Sequence, residues 1–175
     1  YRPANFESGK RYPAIVWIRG GPTGMCRYAF KPFYNWLANQ GYIVITPNYR
    51  GSIGYGVTHM SAVAGQGLGK ADLSDVLSAG EYARTLPEVD LSRGVGVGGR
   101  SWGGYLTLMA VTQAPDVFSC AVAGAAIADW TVQQSQTEVR YYDCWLVGGW
   151  IYEQEAHAKD RSPISFVERI QVPLL

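Results

Sequence analysis

Val95-Gly96-Val97-Gly98-Gly99-Arg100-Ser101-Trp102-Gly103-Gly104-Tyr105 is the stretch on which the reading of this chain turns. A short apolar run ends in glycines, a serine follows, two more glycines come next, and a helical pattern begins. Gly99-Arg100-Ser101-Trp102-Gly103 fits the G-x-S-x-G pattern, in which glycines let the chain turn so sharply from strand to helix that the serine hydroxyl stands exposed. Two glycines around a serine also arise by chance in ordinary loops. Three features of context separate the readings: a strand before, a helix after, and a second glycine-rich turn upstream to supply a donor for a developing oxyanion. This chain has all three, so Ser101 is expected to be a nucleophile.

Working outward, Tyr12 to Ile18 is a compact strand signal with Pro13 at its start, where a missing N–H is harmless. It leads into the loop Arg19-Gly20-Gly21-Pro22-Thr23-Gly24. Phe33, Trp36, Leu37 and Gln40-Gly41 give helical spacing with a glycine stop, and Tyr42 to Thr46 reads as a second buried strand. A long glycine-rich connection, Asn48 to Lys70, is of the kind that carries function. Ala71 to Leu86 is an amphipathic helix, with Asp72 and Asp75 expected in its first turn for their effect on the helix dipole. Val95 to Gly98 is the third strand, Trp102 to Gln113 the helix after it, and Ser119 to Gly124 the fourth strand. Strands alternating with helices predict a parallel sheet covered on both faces, whose ligands bind at the carboxyl ends of the strands. The expected fold class is α/β, of the α/β-hydrolase type, incomplete at the C-terminus, with residues 1–175 forming one catalytic domain.

Composition is consistent with that. The chain has 175 residues, 47% apolar and 17% charged, enough for a sizeable core and too apolar for disorder. A net charge of +1 gives no electrostatic argument for nucleic acid or an anionic membrane. No apolar run approaches the roughly 20 residues of a membrane span. Cys26, Cys120 and Cys144 lack CxxC or metal-ligand spacing and read as buried free thiols, which favours a reducing, cytoplasmic setting. No metal or cofactor is expected.

Several segments then point one way. Trp17-Ile18-Arg19-Gly20-Gly21-Pro22 resembles the HGGP turn of the prolyl oligopeptidase family of serine peptidases. Pro47-Asn48-Tyr49-Arg50-Gly51-Ser52-Ile53-Gly54-Tyr55-Gly56 resembles its PNYRGSTGYG segment. Gly99 to Tyr105 is similar to its GxSxGGY, Ala128-Asp129-Trp130 to its xDW, Arg161-Ser162-Pro163-Ile164 to its RSPI, and Val172-Pro173-Leu174-Leu175 to the start of PLLLIHG. The motifs run in order across the chain, and their pattern is nearest the acylaminoacyl-peptidase and dipeptidyl-peptidase branch.

The resemblance implies a peptidase acting on short peptides through an acyl-enzyme on Ser101. Its oxyanion donors would be the main-chain N–H of Trp102 and one from Gly20 or Gly21. It implies that Trp102 and Trp130 line an apolar substrate pocket, with core packing the other reading of Trp130. It also implies a β-propeller upstream in the parent protein. Two residues depart from the pattern. Arg19 stands where relatives carry His or Tyr and is expected to pair with a nearby carboxylate or backbone carbonyl, as is Arg100. The family's acid and histidine lie beyond the PLLLIHG strand, so the chain as written lacks both and is expected to be inactive alone. His59 matches no functional position, and His157 reads as part of a solvated helical turn. Alternative readings are an esterase of the same fold, or a non-catalytic fragment or degenerate homologue serving as a binding module.

Overall fold

The computed structural model describes all 175 residues. Its centre is a four-stranded, wholly parallel sheet in the order β2-β1-β3-β4. The strands are β1 (Ala14–Ile18), β2 (Ile43–Ile45), β3 (Val95–Arg100) and β4 (Cys120–Gly124). The register runs Ala14 to Val95 and Ile18 to Gly99, then Gly96 to Cys120 and Arg100 to Gly124. Parallel pairing brings the carboxyl ends of all four strands to one rim. The loops beginning at Arg19, Thr46, Ser101 and Ala125 therefore leave from the same edge. After β4 the chain runs through the helices α5 (Trp130–Gln136), α6 (Arg140–Val147) and α7 (Glu155–Asp160). It then returns to the sheet, where Ala121 and Ala123 donate their N–H groups to the carbonyls of Pro173 and Leu175.

The strict alternation along β1 assigns its side chains to two cores. Ala14, Val16 and Ile18 face the larger one, built with α3 (Ala71–Thr85) and α4 (Trp102–Gln113). Ile15 and Trp17 face a small cluster with Leu37, Ala38 and Val44 beneath α1 (Pro32–Asn39). On that second face β3 contributes glycines, because the Trp17 indole lies across them. A Cβ on Gly98 would come within 2.7 Å of the Trp17 ring. The cover of α1 does not extend over β4, so Cys120 and Val122 are exposed. The expectation of buried thiols is corrected accordingly: the three cysteines are free, but Cys120 is exposed and Cys26 and Cys144 are half-buried. The long connection from Asn48 to Lys70 is also more ordered than its glycines suggest, since it contains a short helix, α2 (Val57–Ser61).

The turn from β3 to α4 is packed backbone against backbone. A Cβ on Gly103 would lie 2.1 Å from the carbonyl oxygen of Ile18, and one on Gly99 would lie 2.5 Å from the Gly103 backbone. Neither neighbour is a side chain that could swing away. Gly103→Ala is therefore expected to cost about 3 kcal/mol or more, the upper end of overpacking penalties. Gly124→Ala, whose nearest neighbour would be at an ordinary 3.6 Å, is expected to stay within about 1 kcal/mol of wild type. Urea denaturation of the two variants checks the contrast.

Candidate active site

Ser101 is the residue between β3 and α4, and its backbone adopts φ 60°, ψ −121°. A non-glycine residue there carries roughly 1–3 kcal/mol of strain, held by the structure around it. The Ser101 N–H donates to the carbonyl of Gly124 at 2.9 Å, and α4 begins at once with Trp102. The serine is left exposed on the rim, and its hydroxyl takes no hydrogen bond from the rest of the chain. Because Trp102 is the first residue of α4, its N–H has no intrahelical acceptor.

The loop after β1 comes directly against this turn. A Cβ on Gly20 would lie 3.5 Å from the Ser101 Cβ, an ordinary contact distance. The N–H groups of Gly20 and Gly21 donate to no backbone acceptor. Main-chain donors without partners thus flank the serine on two sides.

Arg19 explains why that loop keeps its shape. Its side chain is buried and curls into the loop, where Nη1 donates to the carbonyls of Gly20 at 2.8 Å and Pro22 at 3.0 Å, and to the Tyr49 hydroxyl at 3.1 Å. Nη2 donates to the Ser52 hydroxyl, and the guanidinium stacks over the Tyr49 ring at 4.3 Å. Of the two expected kinds of partner, a carboxylate or a backbone carbonyl, Arg19 takes carbonyls, with hydroxyls and a ring face beside them, and no acid lies within ion-pair reach. The expectation for Arg100 is corrected, since it is exposed and pairs with neither.

The segment from Asn48 to Ser52 fastens the neighbouring loops. Asn48 Nδ2 donates to the Cys26 carbonyl at 3.0 Å while its Oδ1 accepts the Cys26 N–H at 2.7 Å. Tyr49 donates its hydroxyl to the Arg19 carbonyl at 3.1 Å. Burial holds that phenol well above its usual range, so it stays a donor. Arg50 grips Asp75 with Nε and Nη2, and Asp75 also accepts the Arg50 N–H at 2.6 Å.

The two tryptophans are not where a pocket needs them. Trp102 and Trp130 are only 1% and 0% exposed, and with Tyr105 they form a core cluster of edge-to-face rings with centroids 5.2 to 5.8 Å apart. The pocket assignment for both side chains is corrected to core packing. The open space beside the end of β4 is instead a cavity of about 350 Å³ lined by Ala126, Ile127, Val132, Gln133 and Thr137, among others. Nothing in the sequence singled out these small and polar residues. Asp129, from the DW pair, caps α5 by accepting the N–H and hydroxyl of Thr131, which pulls its carboxyl below the usual range.

Neither histidine serves the serine. His59 donates from Nε2 to the Tyr49 carbonyl at 3.2 Å, and His157 from Nε2 to the Gly65 carbonyl at 3.0 Å. No group of three or more His, Cys, Asp or Glu side chains has the geometry of a metal site. No helix is long and apolar enough to cross a membrane.

Asp72 stands in the first turn of α3 as expected, but it carries more than a dipole contact: it is fully buried, accepting the Trp102 indole N–H on Oδ2 at 3.0 Å and the Leu73 N–H on Oδ1 at 3.0 Å. Burial pushes its carboxyl up to about 7, against the pull of those two donors. A signal existed in the helical pattern, because Asp72 lies one turn before Val76 on the apolar side of α3.

The Prolyl oligopeptidase family matches residues 28–175. The chain belongs to the prolyl oligopeptidase family. It is 35% identical over 176 residues to an uncharacterized peptidase, YuxL, of Bacillus subtilis, and 30% identical over 181 residues to dipeptidyl-peptidase 5 of Porphyromonas endodontalis. Each alignment takes in 99% of this chain and 26% of the relative, so the chain spans about a quarter of the length of these relatives. Among solved structures, an acylaminoacyl peptidase of Pyrococcus horikoshii superposes with a TM-score of 0.88 at 30% identity, over 99% of this chain and 28% of that one. A puromycin-hydrolyzing peptidase of Mycobacterium tuberculosis gives a TM-score of 0.85 at 29% identity, over 96% of this chain and 25% of that one. The fold is that of the α/β-hydrolase peptidases, and the prolyl oligopeptidase family is one of serine-type peptidases.

Arg19 and Asp72 each yield an expected outcome. Arg19→Lys keeps the charge but gives up the planar fork, stranding at least one of the carbonyls it bonds. A loss of about 2 kcal/mol or more is expected in urea denaturation. For Asp72, the folded value of about 7 lies above the ordinary 3.8, so the folded chain binds the proton more tightly. The stability this contributes is complete below about pH 4 and is lost as pH rises toward 7. Asp72→Asn is therefore expected to gain stability relative to wild type as pH rises across that window. Paired unfolding curves between pH 4 and 8 check it.

Proposed function

We propose that Ser101 is the nucleophile of a serine peptidase that hydrolyses short peptides through an acyl-enzyme. The observation that carries this reading is Ser101 at φ 60° on the sheet rim, with the Gly20 backbone in contact with it. In the forward step the Ser101 Oγ attacks the peptide carbonyl carbon and its proton passes to a histidine base. The C–N bond then breaks, the amine leaves with that proton, and water hydrolyses the remaining ester. The N–H groups of Trp102 and of Gly20 or Gly21 would receive the oxyanion as it forms, without having to reorganise. The cavity bounded by Ala126, Ile127 and Gln133 would take a substrate side chain.

The base is a histidine that is not among these 175 residues, since His59 and His157 both donate to main-chain carbonyls elsewhere. That supports the reading of the chain alone as a catalytically incomplete unit with its nucleophile formed. A serine without its histidine loses about a millionfold in turnover, judged from subtilisin.

A fluorophosphonate probe, which forms a bond to activated serines, tests the proposal. The 175-residue chain is expected to stay unlabelled. A longer form of the protein carrying the following strand, acid and histidine is expected to be labelled, and Ser101→Ala to abolish that labelling. Labelling of the short chain at Ser101 would reveal a base within it. A longer form that folds and resists the probe would favour the non-catalytic binding reading instead. Probe labelling followed by peptide and ester turnover separates a peptidase from an esterase.

A further inference from the structure

We propose that Asp72 is a positioning residue for the reaction at Ser101, acting through the indole of Trp102 on the main-chain N–H of that same residue. The proposal rests on the reading of Ser101 as nucleophile and Trp102 N–H as oxyanion donor.

The geometry is a short lever. Trp102 follows Ser101 directly, so the N–H assigned to the oxyanion belongs to the residue whose side chain Asp72 holds. The indole Nε1–H donates to Asp72 Oδ2 at 3.0 Å, from α4 across to α3. On its other sides the ring meets Tyr105 at 5.2 Å and Trp130 at 5.8 Å between centroids. With its tip bonded and its faces packed, the side chain has no alternative rotamer without breaking the hydrogen bond or opening the core. The first turn of α4 is pinned by its own first side chain.

The chemistry calls for a carboxylate. Two N–H groups converge on Asp72, one on each oxygen. An asparagine offers one acceptor oxygen and turns an amino group toward the other donor, so it satisfies only one of them. No cation pairs with this carboxyl. Arg50, which feels it, is committed to Asp75 through a fork of its own, and Asp75 repels Asp72. Tyr49 and Tyr105, which also feel this carboxylate, are neutral phenols. A buried acid without a counter-ion is costly where it serves only packing, and a leucine would fill the space more cheaply. What the acid supplies that leucine cannot is a directional bond fixing the indole.

Displacing a catalytic donor by about 1 Å can cost on the order of a hundredfold. The test uses a longer, active form of the protein, accepted only if wild type is labelled by the fluorophosphonate and turns over peptide. If it does not, the reading of Ser101 fails, and that failure is separate from this one. In an active form, Asp72→Asn and Trp102→Phe are each expected to lower kcat about tenfold to a hundredfold with KM within about twofold. The double variant is expected to be no worse than the worse single variant, because either change removes the same bond. Wild-type kcat in either folded variant, equal losses in KM, or losses that multiply in the double variant would each overturn the proposal. Should Asp72→Asn fail to fold, Trp102→Phe decides alone, since it keeps the ring in the core and deletes only the donor.

Discussion

The contact on which everything else depends is Gly103 against the carbonyl oxygen of Ile18. It joins the first turn of α4 to the last residue of β1, at a separation that leaves no room for a methyl group. Because β1 and β3 are adjacent and in register from Ala14 to Ile18, the approach also fixes where the loop after β1 starts relative to the serine. Gly20 thereby comes against Ser101 without any side chain to hold them together. The strained backbone of Ser101 follows from the same closeness. The chain has only one residue in which to pass from the end of a strand to a helix already seated on its neighbour.

The two sides of this contact are secured by a buried guanidinium and a buried carboxyl, neither of them ion-paired. On the β1 side Arg19 is spread over two carbonyls, two hydroxyls and an aromatic face. On the α4 side Asp72 collects two N–H groups. A neutral side chain could make some of these bonds but not all, because a guanidinium is a multiple donor with no acceptor and a carboxylate a double acceptor with no donor. Each ion is used for the one-sidedness of its hydrogen bonding. Most of the cost of burying it is offset by dipoles in place of an opposite charge, although the Arg19 Nε is left without a partner.

This division explains what the sequence made legible. The strands, the helices α1, α3 and α4, the parallel order and the position of Ser101 all follow from periodicity and glycine placement, and each stands within a few residues of its expected range. Roles that depend on a second element did not follow. Trp130 reads equally well as pocket wall or core, and Trp102 as pocket wall, until α3 and Tyr105 are seen closing around them. Asp72 reads as a dipole partner by its place in the first turn, and only the rotation of α3 turns it inward to meet an indole thirty residues away. Cys120 reads as buried because β4 is apolar, yet the helix that would cover it stops over β1 and β2. Arg19 reads as an ion-pair partner because carboxylates are the commonest mates of arginine. Here the loop it belongs to turns its own carbonyls inward first.

The short motifs consequently divide by what their side chains do, not by how near they lie to the serine. Asn48, Tyr49 and Arg50 sit on the rim, and all three spend their polar groups on other parts of the protein: the Cys26 backbone, the Arg19 carbonyl and Asp75. Asp129 spends its carboxylate on the first turn of α5, and Ser162 accepts the Trp130 N–H at 2.9 Å while donating to the Ala158 carbonyl at 2.7 Å. Each motif is thus a fastening between a rim loop and the element beneath it. A rim built this way keeps main-chain N–H groups free by satisfying its carbonyls and hydroxyls from side chains. The N–H groups of Gly20 and Gly21 have no backbone acceptor, and that of Trp102, as the first of α4, has none within its helix. The polar bonding of the loops and the unpartnered main-chain N–H groups beside Ser101 are therefore one arrangement, in which side chains satisfy the rim's carbonyls and leave those N–H groups without a partner.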